Sequence, residues 1–251
     1  MEKQPLISII TPSYNAGAFI GQTIESVQKQ TFQEWEMLIV DDCSSDDTRE
    51  KVGQYAAEDS RIRLICLEEN GGAAVARNTA LRAAEGRYVA FLDSDDCWKP
   101  EKLERQLRFM QENGYAFTFT GYELVSPNGE PLNKEVAAPA EISYTGLLKN
   151  TIIGCLTVMI DRNQTGRFQM PNIRTRQDLA TWLSILKKGH VAYGLNEVLA
   201  EYRTGNPSIS KNKWKALKMN WFVYRKVEKL NVMKACWCFS HYAFNAVAKR
   251  L

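Results

Sequence analysis

Between residues 6 and 110, short apolar runs alternate with stretches of helical spacing, and that alternation limits the chain to a small set of folds. The runs at 6–10, 36–40, 62–67 and 88–92 have the length of buried strands, while Phe19, Ile20, Thr23, Ile24 and Val27 recur along one helix face. Ser45 is expected to cap a helix carrying Val52, Tyr55 and Ala56. An Ala-rich helix follows Asn70-Gly71-Gly72 and runs through Leu81. Pro100 opens another, with Leu103, Leu107 and Met110 on one face and Gly114 beyond its end. Strands and helices in this order build βαβ units and a mostly parallel sheet. Three of the runs end in polar clusters: Ser13-Tyr14-Asn15, Asp41-Asp42 and Asp93-Ser94-Asp95. Ligands bind just beyond the carboxyl ends of such strands, so clusters far apart in sequence should meet in one crevice.

The second half is less regular. Residues 115–125 and 154–160 read as strands, 177–187 as a helix, 191–203 as one or two strands, and the last forty as helical. A chain of 251 residues can bury one sizeable core. One α/β domain is therefore expected over 1–210, followed by a tail over 211–251. That tail carries ten Lys/Arg against Glu228 alone, so a chain of net charge +3 has a net-negative body. A basic end on an acidic body suits an anionic partner. Six cysteines without a CxxC pair or zinc spacing read as reduced, mostly buried thiols of a cytosolic protein. The opening residues lack the apolar core of a signal peptide, and no apolar run reaches the roughly 18 residues of a membrane span.

Aspartates two apart at a strand end, as in Asp93-Ser94-Asp95, can aim oxygens at one hard cation, Mg²⁺ or Mn²⁺. Such an ion would neutralise charge on a departing diphosphate. The competing reading of D-x-D is a polar turn, with Asp96 as a helix cap. The Asn70-Gly71-Gly72 loop can bring backbone N–H groups to a phosphate, with Arg77 one turn into the next helix. Neither GxGxxG nor GxxxxGK[ST] occurs, which removes the main support for dinucleotide and P-loop readings.

These residues carry a family likeness. The run Ile7-Ser8-Ile9-Ile10-Thr11-Pro12-Ser13-Tyr14-Asn15 resembles the opening of the family 2 inverting glycosyltransferases. Gln30-Thr31-Phe32, Leu38-Ile39-Val40-Asp41-Asp42 with Ser44 and Asp46, Asn70-Gly71-Gly72 with Ala76-Arg77-Asn78, and Glu85-Gly86-Arg87-Tyr88 leading to Phe91-Leu92-Asp93-Ser94-Asp95-Asp96 continue the match in order. The resemblance implies the GT-A fold, with a Rossmann-like nucleotide-sugar half over 1–110 and an acceptor half over 111–210. It also implies a UDP-sugar donor and a divalent metal. Tyr14 would contact the base and Asp42 the uracil ring, with Pro12, Asn15, Gly72, Arg77, Asp93 and Ser94 also on the nucleotide and Asp95 on the metal. Chemistry agrees at two points, since a phenol can stack on a nucleobase and a carboxylate can accept the uracil imide proton.

Beyond residue 115 the useful match is Gln177-Asp178-Leu179-Ala180-Thr181-Trp182, similar to the family's Glu-Asp-x-x-x-Trp with Gln in place of Glu. The resemblance makes Asp178 the catalytic base of an inverting transfer, which needs one carboxylate to take the acceptor proton. Without it, Asp178 reads as a helix-start carboxylate favoured by the dipole. Glu201-Tyr202-Arg203 and Ser208-Ile209-Ser210 resemble the family's Tyr-Arg…Ser-x-Ser ending, but Gly205 stands where many members have histidine. The acceptor implied is a lipid-linked saccharide or a growing polysaccharide of the bacterial surface. Eight aromatic residues, from Trp214 to Phe244, are scattered through the basic tail. It can lie on an anionic bilayer at the inner face of the cell membrane, or pack on the body or a second copy of the chain. Nucleic acid is not indicated, as no recognised fold for it appears. Two other functions remain open: a sugar nucleotidyltransferase, whose Arg/Lys-bearing Gly-rich loop Asn15-Ala16-Gly17 lacks, and a non-catalytic scaffold subunit.

Overall fold

Apolar side chains alternate along the first strands and so reach helices on both faces of the sheet. The computed structural model describes residues 5–205 and 213–248. β1 (Ile7–Ser13), β2 (Trp35–Asp41), β3 (Ile62–Cys66) and β4 (Tyr88–Phe91) alternate with α1 (Ile20–Gln28), α2 (Thr48–Glu58) and α3 (Ala73–Ala83). Next come β5 (Cys97–Trp98), α4 (Lys102–Asn113), β6 (Phe117–Val125), β7 (Pro131–Val136), β8 (Glu141–Ile142) and α5 (Tyr144–Lys149). β9 (Met159–Asp161), α6 (Arg162–Thr165), α7 (Gln177–Leu186) and β10 (Ala192–Arg203) complete the body. α8 (Lys213–Phe222), a π-helical turn (Val223–Val227) and α9 (Val232–Ala248) follow.

The strands form one sheet in the order β3-β2-β1-β4-β9-β6-β10-β5, with β7 beside β6 and β8 beside β10. The first four are parallel. β9 runs antiparallel to both β4 and β6, so β6 points the same way as β4, and β10 is parallel to β6. The carboxyl ends of β1, β2, β4, β6 and β10 thus share one edge. That edge is where the polar clusters collect.

Ile7, Ile9, Met37 and Ile39 face the core with Ile20, Ile24, Val52 and Leu103, while Ile10, Leu38, Val40 and Phe91 face the opposite core with Ala76, Ala80 and Trp182. Period-2 alternation between two covered faces explains why these strands read as continuous apolar runs. Trp182 is fully buried, with its ring edge-on to Phe91 and Phe117 at 5.2 and 5.4 Å. This anchor fixes α7. At the amino end of the strands, the Ser8 hydroxyl donates to Glu36 (2.6 Å) and accepts from the Gly86 amide (2.8 Å). A Cβ on Gly86 would sit 2.7 Å from the Ser8 nitrogen, so only glycine lets β4 begin this close to β1.

Two local expectations are corrected. Residues 154–160 are not one strand, because Cys155–Thr157 forms a 3₁₀ turn and only Met159–Asp161 pairs. The Thr157 amide and hydroxyl both donate to the Gly154 carbonyl, at 3.1 and 2.7 Å, which closes a turn where a ladder needs extended backbone. Ser45 does not cap α2, which starts at Thr48 behind Asp47. The Ser45 amide instead donates to Asn15 Oδ1 at 2.8 Å, joining the two loops that leave β1 and β2.

Candidate active site

The loop after β1 is held from the side by the loop after β2. Asn15 takes a left-handed backbone (φ 49°), and its amide donates to the Ser44 hydroxyl at 2.9 Å. The Ala16 and Gly17 amides donate to Thr48 Oγ1 (2.8 Å) and Asp46 Oδ2 (2.9 Å). These bonds account for Ser44 and Asp46 within the sequence pattern: they shape the loop that presents Tyr14. The Tyr14 ring is 56% exposed, so its face is available to a planar ligand.

Pro12, Tyr14, Asp42, Arg77, Asp93, Ser94, Asp95 and Asp178 line one crevice of about 580 Å³ at the carboxyl edge of the sheet. Asn15 and Gly72 lie outside that lining. Asn15 is occupied by Ser45, and the Gly71 and Gly72 amides both donate to the Asp42 carboxylate, at 2.7 and 2.8 Å. The expectation that these glycine amides approach a phosphate is therefore corrected. Asp42 has claimed them and is held rigidly at 4% exposure.

Arg77 is buried behind the crevice and ion-paired with Asp93. Burial opposes its charge, but the Asp93 carboxylate more than offsets that, and the guanidinium stays charged. Its Nε has no hydrogen-bond partner among the described residues. Asp96 is no helix cap, since α4 begins at Lys102 behind Glu101. It is buried and accepts the Arg203 amide at 2.8 Å. Burial, aided by Asp95 and Asp93, pushes its carboxyl well above the usual carboxylate range.

Arg203 ties this corner together. Its side chain donates to the Asp95 carbonyl (2.8 Å), the Pro127 carbonyl (2.8 Å) and Gln22 Oε1 (2.7 Å). The Asp95 loop is thereby fixed to α1 and to the turn after β6. Ser208-Ile209-Ser210 lies outside the described residues. Asp178 sits half-buried in the first turn of α7, one turn before the Trp182 anchor.

Oxygen-only donors suit a hard cation here, because burial pushes the neighbouring Cys155 thiol up and away from thiolate. Among the described residues no three His, Cys, Asp or Glu gather into a metal cage. A divalent ion would thus be held by Asp95 together with oxygens of a bound ligand, the usual manner of Mg²⁺.

Sequence reasoning missed Tyr122, Cys155, Arg174 and Arg176, which also line the crevice. Tyr122 and Tyr202 meet edge-on at 6.0 Å, near the ends of the parallel β6 and β10. The signal was present: any strand parallel to β1 must end at the same edge. The six cysteines are all free, and Cys66 and Cys236 are exposed, which corrects the expectation of mostly buried thiols.

Residues 8–170 match the glycosyl transferase family 2. TuaG of Bacillus subtilis (strain 168), named for teichuronic acid biosynthesis, is 64% identical over 99% of this chain and 98% of its own. The spacing at 42–46 and 176–182 resembles a protein of that kind. The Escherichia coli UDP-Glc:alpha-D-GlcNAc-diphosphoundecaprenol beta-1,3-glucosyltransferase WfgD is 47% identical over 87% of this chain and 85% of its own. Staphylococcus aureus TarS 1–349, solved with UDP-GlcNAc, superposes with a TM-score of 0.71 at 21% identity over 94% of this chain and 71% of its own, a likeness of fold.

Proposed function

The chain belongs to glycosyl transferase family 2, and from that premise we propose that it moves a sugar from a UDP-sugar, with a divalent metal and inversion, to a lipid-linked acceptor of bacterial surface polysaccharide. The observation that carries this reading is the crevice itself, where Tyr14 and Asp42 at one strand end, Asp93 and Asp95 at another and Asp178 on α7 line one space. Tyr14 offers its ring face to the uracil. One edge of the Asp42 carboxylate is taken by glycine amides, and its remaining lone pairs accept the imide proton. Arg77, kept charged by Asp93, supplies fixed positive potential beside the diphosphate. Bound at Asp95, Mn²⁺ or Mg²⁺ would offset the charge that develops on the leaving UDP.

Asp178 takes the proton of the acceptor hydroxyl as that oxygen bonds to the anomeric carbon from the face opposite UDP. The bond to the diphosphate breaks, UDP departs with the electron pair, and the sugar inverts. The acceptor class is supported by WfgD, whose name places its acceptor sugar on diphosphoundecaprenol. Teichuronic acid, the polymer in the name of TuaG, is the product this reading favours. We place the reaction in the cytoplasm, at the inner membrane face.

Calorimetry with UDP tests the donor side. Binding should require Mn²⁺ or Mg²⁺ and be lost on Asp95→Ala, with thermal unfolding unchanged. Undiminished UDP affinity in excess chelator would sink the role given to Asp95.

A further inference from the structure

The last two described helices divide their residues sharply. On the inner side Val223, Tyr224, Ala235 and Cys238 are buried in the core that holds Trp182, and Tyr242 is buried as well. The tail's one acid, Glu228, also points inward, where it accepts from the Tyr144 hydroxyl (2.6 Å) and pairs with Lys187 (3.1 Å). On the outer side Met233, Trp237 and Phe244 stand 82%, 58% and 71% exposed. Their spacing of four and seven residues sets them along one stripe, roughly 16 Å long at helical rise. Lys226, Lys229 and Lys234 are exposed in the same stretch of the tail, and the Lys149 ammonium lies 5.8 Å over the Trp237 ring. The outward surface is thus large apolar side chains among cations, with its acid turned away.

The same helix borders the active site. Tyr242 accepts from Arg176 (3.3 Å), and Asn245 donates to the Lys149 carbonyl (3.0 Å). Arg176 and Thr151, two residues beyond Lys149, line the crevice next to Asp178. None of these contacts needs an exposed aromatic. No helix among the described residues is long and apolar enough to cross a membrane.

We infer that the Met233–Trp237–Phe244 stripe of α9 is a docking surface for an anionic bilayer, laid against the acceptor side of the crevice. Apolar groups enter the interface while the lysines meet acidic headgroups, the pattern of a helix lying in the membrane plane. Such docking presents Asp178 to an acceptor whose lipid stays in the bilayer. The inference rests on the lipid-linked acceptor proposed above, and its test does not use that acceptor.

The full chain is floated with vesicles of equal parts phosphatidylglycerol and phosphatidylcholine, and with phosphatidylcholine alone. Binding is expected to the anionic vesicles only and to weaken as salt rises. The variant Met233→Ser/Trp237→Ser/Phe244→Ser should lose on the order of tenfold or more in partition. Lys229→Glu/Lys234→Glu should show a loss of similar order. Both should unfold at the parent's temperature and bind UDP as the parent does. Retained flotation of the apolar variant, or no flotation of the parent, overturns the proposal. So does a parent dimer that this variant converts to monomer in sedimentation velocity, which would make the stripe a subunit contact. Failure of the parent to bind UDP would instead strike the donor reading and leave the vesicle result standing.

Discussion

Five aspartates line the crevice, Asp95 among them, and the surroundings of the other four set them apart. Asp42 is fixed by two backbone amides and Asp93 by Arg77, while Asp96 is buried against the Arg203 amide. Asp178 stands at the start of a helix whose anchor lies four residues on. A general base acts on the acceptor proton in the transition state, so its loss should slow turnover and spare donor binding. Asp178→Asn is expected to lower turnover about 10²–10⁴-fold with UDP affinity nearly unchanged. Turnover within a few-fold of the parent would return Asp178 to a helix-start role. Arg203 is expected to act as a positioning residue, since its side chain grips the Asp95 carbonyl and so holds the loop that carries the carboxylate. Lysine keeps the charge and loses the fork that reaches Asp95, Pro127 and Gln22 together. Arg203→Lys should cost about 1–3 kcal/mol of stability. It should also raise the Mn²⁺ concentration needed for half-maximal UDP binding, read by calorimetric titration. An unchanged metal requirement would reduce Arg203 to a structural tie.

Among the elements, α4 carries an internal contradiction. Lys102 opens it fully buried, its ammonium 3.7 Å over the Trp98 ring, with no hydrogen-bond partner among the described residues. Burial holds its pKa well below the ordinary lysine value. In the unfolded chain lysine takes its proton near 10.4, and in the folded chain only at lower pH. Between those values the unfolded state binds more protons, so stability falls as pH drops through that window. Lys102→Met should therefore stabilise by ~1–3 kcal/mol at neutral pH, the range for removing an unpaired buried polar group. Denaturant unfolding across pH should show the gain shrinking as pH approaches 10, and a pH-independent gain would refute the charge argument. The other elements show what a sequence discloses. The first four strands were legible to within a residue or two at nearly every end because burial on both faces leaves uninterrupted apolar runs. The crevice was legible because parallel strands must end together. Residues 154–160 misled because Cys155, Leu156 and Thr157 are apolar or β-branched yet close a 3₁₀ turn through Gly154, a bond that apolar periodicity does not record. Arg174 and Arg176 reach the crevice from the loop before α7, and Cys155 from the 3₁₀ turn, where no periodicity exists to place them.

At the scale of the whole molecule, the charge asymmetry that divides the sequence near residue 211 does not divide the core. Val223 and Tyr224 are fully buried, and the Tyr224 hydroxyl donates to the Leu148 carbonyl. Trp221 packs edge-on to Phe239 at 5.6 Å, which brings α8 against α9. The packing reading of the tail therefore accounts for its inner aromatics, and the outer stripe is what it leaves unexplained; the Trp214 side chain lies outside the described residues. This two-sidedness predicts opposite outcomes for aromatic truncations close together in the tail. Tyr224→Ala opens a cavity and strips a buried carbonyl of its partner, at a cost of about 3–5 kcal/mol. For a domain of this size each kcal/mol moves the melting temperature by roughly 2–4 °C, so a fall on the order of 10 °C is expected. Trp237→Ala removes a larger ring from a solvent face and should stay within about 0.5 kcal/mol, or roughly 2 °C. Calorimetric melting of the two variants beside the parent distinguishes them directly. A small effect at Tyr224 would mean that the tail lies on the body without sharing its core. A large one at Trp237 would mean that the exposed stripe is already covered, by another copy of the chain.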